Sequence, residues 1–174
     1  MISLVGFMGS GKTTLGSLLA LCLDLPFRDL DQLVEERSGR ALAEIFRLDG
    51  EEAFRRLERE EFRRLTSEFS GVLATGGGLP CQPGLVDELR AAGPVLFLDP
   101  PVELLLTRLA TGGARPLIAG WSPEEVRALH AQRLPAYMAA GRRVDLSAGL
   151  DLPRSLDCLL LALTEEDGVK RLPA

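Results

Sequence analysis

The stretch that decides the fold is Gly6-Phe7-Met8-Gly9-Ser10-Gly11-Lys12-Thr13-Thr14, a full match to the P-loop pattern. The apolar run Ile2–Phe7 before it predicts a strand, and the leucines after it recur at helical spacing. The loop's backbone N–H groups and the helix N-terminus suit a phosphate. We expect Lys12 to reach the β- and γ-phosphates and the hydroxyl of Thr13 to bind Mg²⁺. A glycine-rich turn with a chance lysine is the structural alternative. The residues predicted to bind a nucleoside triphosphate are Gly9, Ser10, Gly11, Lys12, Thr13 and Thr14.

Short apolar runs rich in strand formers recur along the chain, separated by segments with helical periodicity. These runs are Ile2–Phe7, Phe27–Leu30, Val72–Ala74, Val95–Leu98 and Val144–Leu146. One intervening segment, Glu51–Phe69, predicts a long amphipathic helix. The alternation predicts an α/β fold in which a five-stranded parallel sheet carries helices on both faces and a ligand site at the carboxyl ends of the strands. We expect residues 1–174 to form a single domain with a mobile, glycine-punctuated lid at Thr111–Ser122.

The composition excludes several classes of protein. The formal charge of -5 has the wrong sign for holding a long nucleic-acid backbone. Three widely spaced cysteines and a single histidine predict neither a disulfide framework nor a zinc site. No apolar run approaches the ~20 residues of a membrane span, and the N-terminus does not have the pattern of a targeting segment. We expect a cytoplasmic monomer with no nucleic-acid or membrane partner.

Two carboxylates lie at the end of the second predicted strand, in Asp29-Leu30-Asp31. Residues two apart on a strand share a face, so both side chains are expected to point to one place. Asp29 would then serve the metal ion, and Asp31 would orient or deprotonate an acceptor hydroxyl. Helix capping is the alternative for this pair, and it does not exclude catalysis.

Three consecutive glycines, Gly76, Gly77 and Gly78, follow Thr75 at the end of the third predicted strand. Such a run costs backbone entropy that a plain turn does not require, so it predicts bare N–H groups in contact with a ligand. A tight turn before Pro80 is the structural alternative. No acidic residue ends this strand, which argues against an ATPase motor or a GTPase.

Three arginines stand out because a guanidinium fork binds carboxylates and phosphates bidentately. Arg55 lies on the polar flank of the long helix, with Glu58 three residues later to hold its orientation. Arg115 lies in the predicted lid, where it could reach reacting phosphates. Arg133 lies near a helix end. The structural alternative for Arg55 is a surface ion-pair ladder, and that for Arg115 is a solvated loop charge. For Arg133 it is an interaction with the helix dipole.

Six motifs together carry a resemblance that covers nearly the whole chain. They are Gly6–Thr14, Asp29-Leu30-Asp31, Gly50-Glu51-Glu52-Ala53-Phe54-Arg55, Thr75-Gly76-Gly77-Gly78, Arg115-Pro116-Leu117-Ile118 and Arg133-Leu134-Pro135-Ala136-Tyr137. In this order they resemble those of the shikimate kinases, P-loop kinases related to the nucleoside monophosphate kinases. The resemblance implies transfer of the γ-phosphoryl group of ATP, with Mg²⁺, to the 3-hydroxyl of shikimate, a step of chorismate and aromatic amino acid biosynthesis.

The resemblance also implies roles for individual residues. Lys12, Asp31 and Arg115 would be catalytic, Thr13 and Asp29 would hold Mg²⁺, and Arg108 would lie near the adenine. The residues implied to contact shikimate are Asp31, Arg55, Gly76, Gly77, Gly78 and Arg133.

Two other functions remain open at this point. A gluconate-type kinase of the same architecture also needs a base and a carboxylate-binding arginine, although Arg133 and the triple glycine favour shikimate. A P-loop module that binds nucleotide without catalysis is the non-enzymatic alternative. Lys12, Asp31 and Arg115 argue against it.

Overall fold

The computed structural model describes residues 1–111, 118, 120–147 and 151–164 of the chain. Its five strands are β1 Ile2–Val5, β2 Phe27–Asp29, β3 Val72–Ala74, β4 Val95–Asp99 and β5 Arg142–Asp145. Its seven described α-helices are α1 Lys12–Cys22, α2 Leu30–Ser38, α3 Leu42–Glu68, α4 Leu85–Ala92, α5 Val102–Thr111, α6 Pro123–Ala140 and α7 Leu152–Thr164.

All strand pairs are parallel, and the sheet has the order β2-β3-β1-β4-β5. The five predicted strands are therefore confirmed, with one shift in position. β5 begins at Arg142 rather than Val144, because this edge strand tolerates two arginines that hide its start in the sequence. The side chain of Arg143 is held across the sheet by Asp99, with 2.6 Å between Nε and Oδ2.

Two hydrophobic clusters cover the two faces of the sheet, as the alternation of buried residues along a strand requires. Leu4 and Val72 pack on the face that α1 and α7 cover. Val5 and Leu73, their neighbours in β1 and β3, pack on the other face against residues of α2 to α6. The predicted placement of helices on both faces is thus confirmed.

α3 starts earlier than the helix predicted at Glu51–Phe69. The helical segment begins at Leu42 and is interrupted at Gly50, whose φ of 80° and ψ of 174° are not helical. The backbone at Gly50 has a conformation that only glycine adopts readily, so a fresh helical segment starts with Glu51. The second segment carries Arg55 and Glu58.

The carboxyl ends of β2, β3 and β1 meet at one edge of the sheet. Ala74 is paired with both Leu4 and Asp29, so the loops after these three strands leave the sheet side by side. The described residues include no helix long and apolar enough to cross a membrane. Most of the predicted lid at Thr111–Ser122, Arg115 included, lies outside the described residues.

Candidate active site

The P-loop joins β1 to α1 and has the backbone that its glycines permit. Gly6, Gly9 and Gly11 have φ values of 145°, 81° and 94°, which other residues rarely adopt. Gly11 is the N-cap residue that precedes α1, and no side chain caps that helix end. The loop therefore leads into a positive helix terminus that no side chain caps, as a phosphate site requires.

Lys12 is folded onto the loop it follows. Its Nζ donates to the carbonyl oxygens of Gly6 at 2.9 Å and Phe7 at 3.0 Å. The guanidinium of Arg108, on α5, donates to the carbonyl oxygen of Gly9 at 2.9 Å, so a second cation lies beside the loop. Both cations thus contact the P-loop backbone.

Thr13 and Asp29 lie together beyond the loop, and the Thr13 hydroxyl donates to Oδ2 of Asp29 at 2.6 Å. An adjacent hydroxyl and carboxylate are hard oxygen donors of the type that Mg²⁺ binds alongside phosphate oxygens and water. The described residues contain no group of three or more acidic, cysteine or histidine side chains that could hold a metal by itself. A metal ion here would take some of its ligands from the protein and the others from the nucleotide and water.

The prediction that Asp29 and Asp31 share a strand face is wrong. β2 ends at Asp29, and Asp31 lies in the first turn of α2. Asp29 is the N-cap of that helix, and its Oδ1 accepts from the backbone N–H of Asp31 at 3.0 Å. The cap alternative thus holds for Asp29. A helical turn nevertheless brings Asp31 to the same cleft as Asp29.

Two of the three glycines after β3, Gly76 and Gly78, lie against charged side chains that leave no room for a Cβ. A Cβ on Gly76 would overlap Oε1 of Glu58 and lie 2.9 Å from Oδ1 of Asp31. A Cβ on Gly78 would lie 2.5 Å from Cζ of Arg55. The turn therefore permits two acidic groups and a guanidinium to pack on bare backbone. A tight turn before Pro80, the structural alternative, does not by itself account for these close approaches.

The guanidinium of Arg55 is gripped on two sides by residues of its own helix. NH1 donates to Oε2 of Glu58 at 2.9 Å, and Nε and NH2 donate to Oε1 of Glu51 at 3.2 Å and 2.9 Å. Glu58 is 0% exposed, whereas Glu51 is half exposed. The role predicted for Glu58, to orient Arg55, agrees with this geometry.

Burial raises the pKa of Glu58 to about 7. Arg55 opposes that rise, the nearby carboxylate of Asp31 adds to it, and Arg133 again opposes it. The site thus holds a buried acid whose charge depends on the arginines around it.

Arg133 reaches the same turn from α6 and is 7% exposed. Its NH1 lies 3.4 Å from the carbonyl oxygen of Gly77, which also accepts from the hydroxyl of Tyr137 at 2.5 Å. Burial raises the pKa of the Tyr137 hydroxyl, so the tyrosine remains a donor. Tyr137 was part of a quoted motif but had no predicted role; the structure makes it the anchor of the glycine turn.

Two cavities meet at this turn. The P-loop cleft, of about 900 Å³, is bordered by the P-loop, Asp29, Asp31, Gly77 and Arg108. The arginine cavity, of about 600 Å³, is bordered by Arg55, Gly78, Trp121 and Arg133 among others. The structure thus brings together the predicted site residues that it describes; Arg115 lies outside the described residues.

Sequence reasoning missed some of the residues around these cavities. The P-loop cleft is also lined by residues that carry no motif, namely Pro100, Leu104, Leu146, Asp151, Leu152 and Ser155. Gln82 and Cys81 border the arginine cavity, also without a sequence signal beyond their place after the glycines. Cys22, Cys81 and Cys158 are all free, in agreement with the expectation of no disulfide.

The P-loop follows the central strand of a five-stranded parallel sheet and lies beside an acidic residue and a cavity lined by arginines. This combination defines the class of P-loop kinases that act on small molecules. The shikimate kinase family model matches residues 8–155 of the chain. The chain belongs to the shikimate kinase family.

Individual relatives agree with this assignment. The shikimate kinase of Synechococcus sp. (strain RCC307) is 46% identical over 143 residues, which make up 81% of this chain and 73% of that protein. The structure of the shikimate kinase from Acinetobacter baumannii in complex with shikimate has a TM-score of 0.87 and 36% identity, covering 97% of this chain and 94% of that one. A gluconokinase from Sinorhizobium meliloti 1021 has a TM-score of 0.57 and 20% identity, over 95% of this chain and 91% of that one, and shares only the fold.

Family membership confirms the predicted fold and the predicted kind of enzyme, a kinase that transfers phosphate to shikimate. Kinases of this kind use ATP together with a divalent metal ion. The gluconate-type and non-catalytic alternatives are therefore disfavoured.

Proposed function

We propose that the chain transfers the γ-phosphoryl group of ATP to the 3-hydroxyl of shikimate, giving shikimate 3-phosphate and ADP. The observation that carries the proposal is the pair of arginines, Arg55 and Arg133, held against one glycine turn in an otherwise acidic chain, next to a P-loop. This arrangement suits an acceptor that is itself an anion.

On the donor side, the P-loop residues Gly9 to Thr14 would hold the phosphates of ATP through backbone N–H groups. Lys12 would exchange its carbonyl partners for β- and γ-phosphate oxygens, and Arg108 would lie near the adenine. Mg²⁺ is proposed at Thr13 and Asp29, since their paired oxygens fit it. When bound, Mg²⁺ supplies positive charge that stabilises the phosphate oxygens.

On the acceptor side, Asp31 would accept a hydrogen bond from the 3-hydroxyl and take its proton. The hydroxyl oxygen then bonds to the γ-phosphorus as the bond from that phosphorus to the β,γ-bridging oxygen breaks, and ADP leaves with the electron pair. The position of Asp31, at the P-loop cleft and within reach of the Gly76 backbone, supports this role.

The shikimate carboxylate is proposed to lie on the guanidinium groups of Arg55 and Arg133. Both side chains are held by hydrogen bonds and line the arginine cavity. The N–H groups of Gly76, Gly77 and Gly78 would bind the remaining polar groups of the acceptor. Glu51, which is half exposed, would yield its place on Arg55 to the substrate.

Arg115 is proposed to act from a lid at Thr111–Ser122 and to stabilise charge on the transferring phosphoryl group. We further propose that the chain acts as a monomer in the cytoplasm. Sedimentation of the purified protein tests the monomer directly.

The position of phosphorylation tests the proposed reaction. The protein is incubated with ATP, Mg²⁺ and shikimate, and the product is analysed by phosphorus and proton NMR. We expect a single phosphate ester whose phosphorus couples to the proton on carbon 3. An ester at another hydroxyl would contradict the proposed placement of the acceptor between Asp31 and the arginines.

A further inference from the structure

Gln82 joins α3 to the segment that follows the glycine turn. It comes directly after a short 3-10 helix, Leu79–Cys81, and is 9% exposed. Its Nε2 donates to Oε2 of Glu58 at 2.7 Å, and its Oε1 accepts from NH1 of Arg59 at 2.5 Å. The buried amide of Gln82 therefore connects Glu58 and Arg59, two consecutive residues of α3, through its two ends.

The direction of this amide is set by Arg59. A guanidinium only donates hydrogen bonds, so the end of the Gln82 side chain that faces Arg59 must be its oxygen. The NH₂ group is then turned toward Glu58. Arg59 thus ensures that the buried carboxylate meets a donor rather than a second acceptor.

Glu58 depends on that donor because its surroundings are mixed in charge. Arg55 and Arg133 favour the ionised carboxylate, whereas Asp31 and burial oppose it. Its Oε2 receives two donors, NH1 of Arg55 and Nε2 of Gln82. Hydrogen bonds to a buried charge are stronger than those between neutral groups, so Gln82 contributes to keeping Glu58 ionised and fixed.

We propose that Gln82 is a positioning residue for recognition of the acceptor carboxylate: Arg59 orients Gln82, Gln82 fixes Glu58, and Glu58 aims the guanidinium of Arg55. The inference deepens the proposed function and rests on it. Gln82 itself touches neither ATP nor the reacting hydroxyl in this scheme, so its effect falls on shikimate binding.

Steady-state kinetics of Gln82→Met test the proposal, because methionine retains the volume and loses both hydrogen bonds. We expect the KM for shikimate to rise about tenfold, with the KM for ATP and kcat changed by less than about twofold. Gln82→Glu keeps an acceptor for Arg59 and loses the donor to Glu58, so its KM for shikimate must rise at least as much. An acceptor analogue with a hydroxymethyl group in place of the carboxylate should be insensitive to both variants.

Arg59→Met should raise the KM for shikimate less than Gln82→Met, and combining the two should add nothing further, since Arg59 acts through Gln82. Arg63→Met is the matched control: Arg63 lies one turn further along α3 and pairs with Glu88, away from the site, so its KM values should not change. If Gln82→Met fails to fold, Gln82→Glu and Arg59→Met still test the proposal, since each should raise the KM for shikimate, Arg59→Met by the smaller factor.

Two results would overturn the inference while leaving the proposed function intact. One is an unchanged KM for shikimate in folded Gln82→Glu. The other is an equal rise in KM for the analogue that has no carboxylate, which would show that Gln82 only supports the glycine turn. Absence of shikimate phosphorylation by the parent protein would instead contradict the proposed function itself.

Discussion

Asp29 and Asp31 are two residues apart and have different surroundings, which predicts different kinetic consequences of removing their charges. Asp29 contacts the Thr13 hydroxyl and caps α2, whereas Asp31 approaches the glycine turn. Asp31→Asn should lower kcat by about 10²- to 10⁴-fold, because an amide cannot take the proton of the acceptor. Asp29→Asn keeps an oxygen for the cap, and its loss of activity should be partly reversed by raising Mg²⁺.

The measurement is kcat for both variants across a Mg²⁺ titration, with the parent protein as reference. Recovery of Asp31→Asn, but not of Asp29→Asn, at high Mg²⁺ would mean that the two roles are exchanged.

Glu58 predicts a pH dependence of stability, because burial raises its pKa from 4.5 to about 7. A raised pKa means that the folded protein binds the proton more tightly than the unfolded chain does. The contribution of this group to the free energy of unfolding is therefore full below pH 4.5 and is lost as pH rises through 7.

Glu58→Gln does not titrate, so its free energy of unfolding relative to the parent should rise between pH 4.5 and 7, by up to ~3 kcal/mol. Urea unfolding at a series of pH values measures the difference. Glu51→Gln, which removes a half-exposed carboxylate from the same arginine, is the control and should show no such rise. A flat difference for Glu58→Gln would show that Glu58 is not perturbed by burial.

Residue identity was predictable where a motif imposes it, and geometry was less so. The P-loop pattern and the arginines at positions 55 and 133 indicated residues that line the two cavities, because the chemistry of phosphate and carboxylate binding restricts the residue types. Asp31 was assigned to a strand, since sequence does not show that Asp29 ends β2 as a helix cap. Gln82 meets Glu58 across 24 positions, and no local pattern marks such a contact.

At the scale of elements, the break in α3 is the feature that sequence periodicity did not reveal. Gly50 separates the segment that starts at Leu42 from the one that carries Arg55. Its surroundings are open, so a substitution there is opposed by backbone strain rather than by a clash. A substitution at Gly50 therefore tests whether the direction of the second segment affects substrate binding.

Gly50→Ala should lower the free energy of unfolding by ~1–3 kcal/mol and raise the KM for shikimate, because alanine resists this backbone and the segment with Arg55 would shift. Gly39→Ala is the matched control: Gly39 also has a positive φ, 67°, and open surroundings, but it ends α2. It should be destabilised without a change in KM. Equal KM effects in both variants would contradict the link between the break and Arg55.

The proposed lid gives a second prediction at this scale. Arg115→Ala should lower kcat far more than it weakens shikimate binding, with the ~10³–10⁵-fold loss known for arginines that stabilise phosphoryl transfer as an upper guide. Trp121, which is 40% exposed and borders the arginine cavity, should report closure by a change in fluorescence when both substrates bind. Unchanged emission together with near-normal kcat in Arg115→Ala would show that the segment is an ordinary loop.

At the scale of the whole molecule, the fold places two cavities at one edge of the sheet and the glycine turn between them. Gly77 borders the P-loop cleft and Gly78 borders the arginine cavity. Two bound anions would therefore meet at the turn, with Asp31 on one side and Arg55 and Arg133 on the other. We therefore expect this arrangement, rather than the P-loop alone, to select the acceptor.

The most direct test of that selection is ADP release by the purified protein, measured with ATP, Mg²⁺ and a panel of shikimate, gluconate and nucleoside monophosphates. We expect turnover with shikimate at least about 10³-fold faster, as kcat/KM, than with the other acceptors, because only shikimate would place a carboxylate on the arginines and a hydroxyl on Asp31 together. Comparable or greater kcat/KM with gluconate or a nucleoside monophosphate would contradict the account.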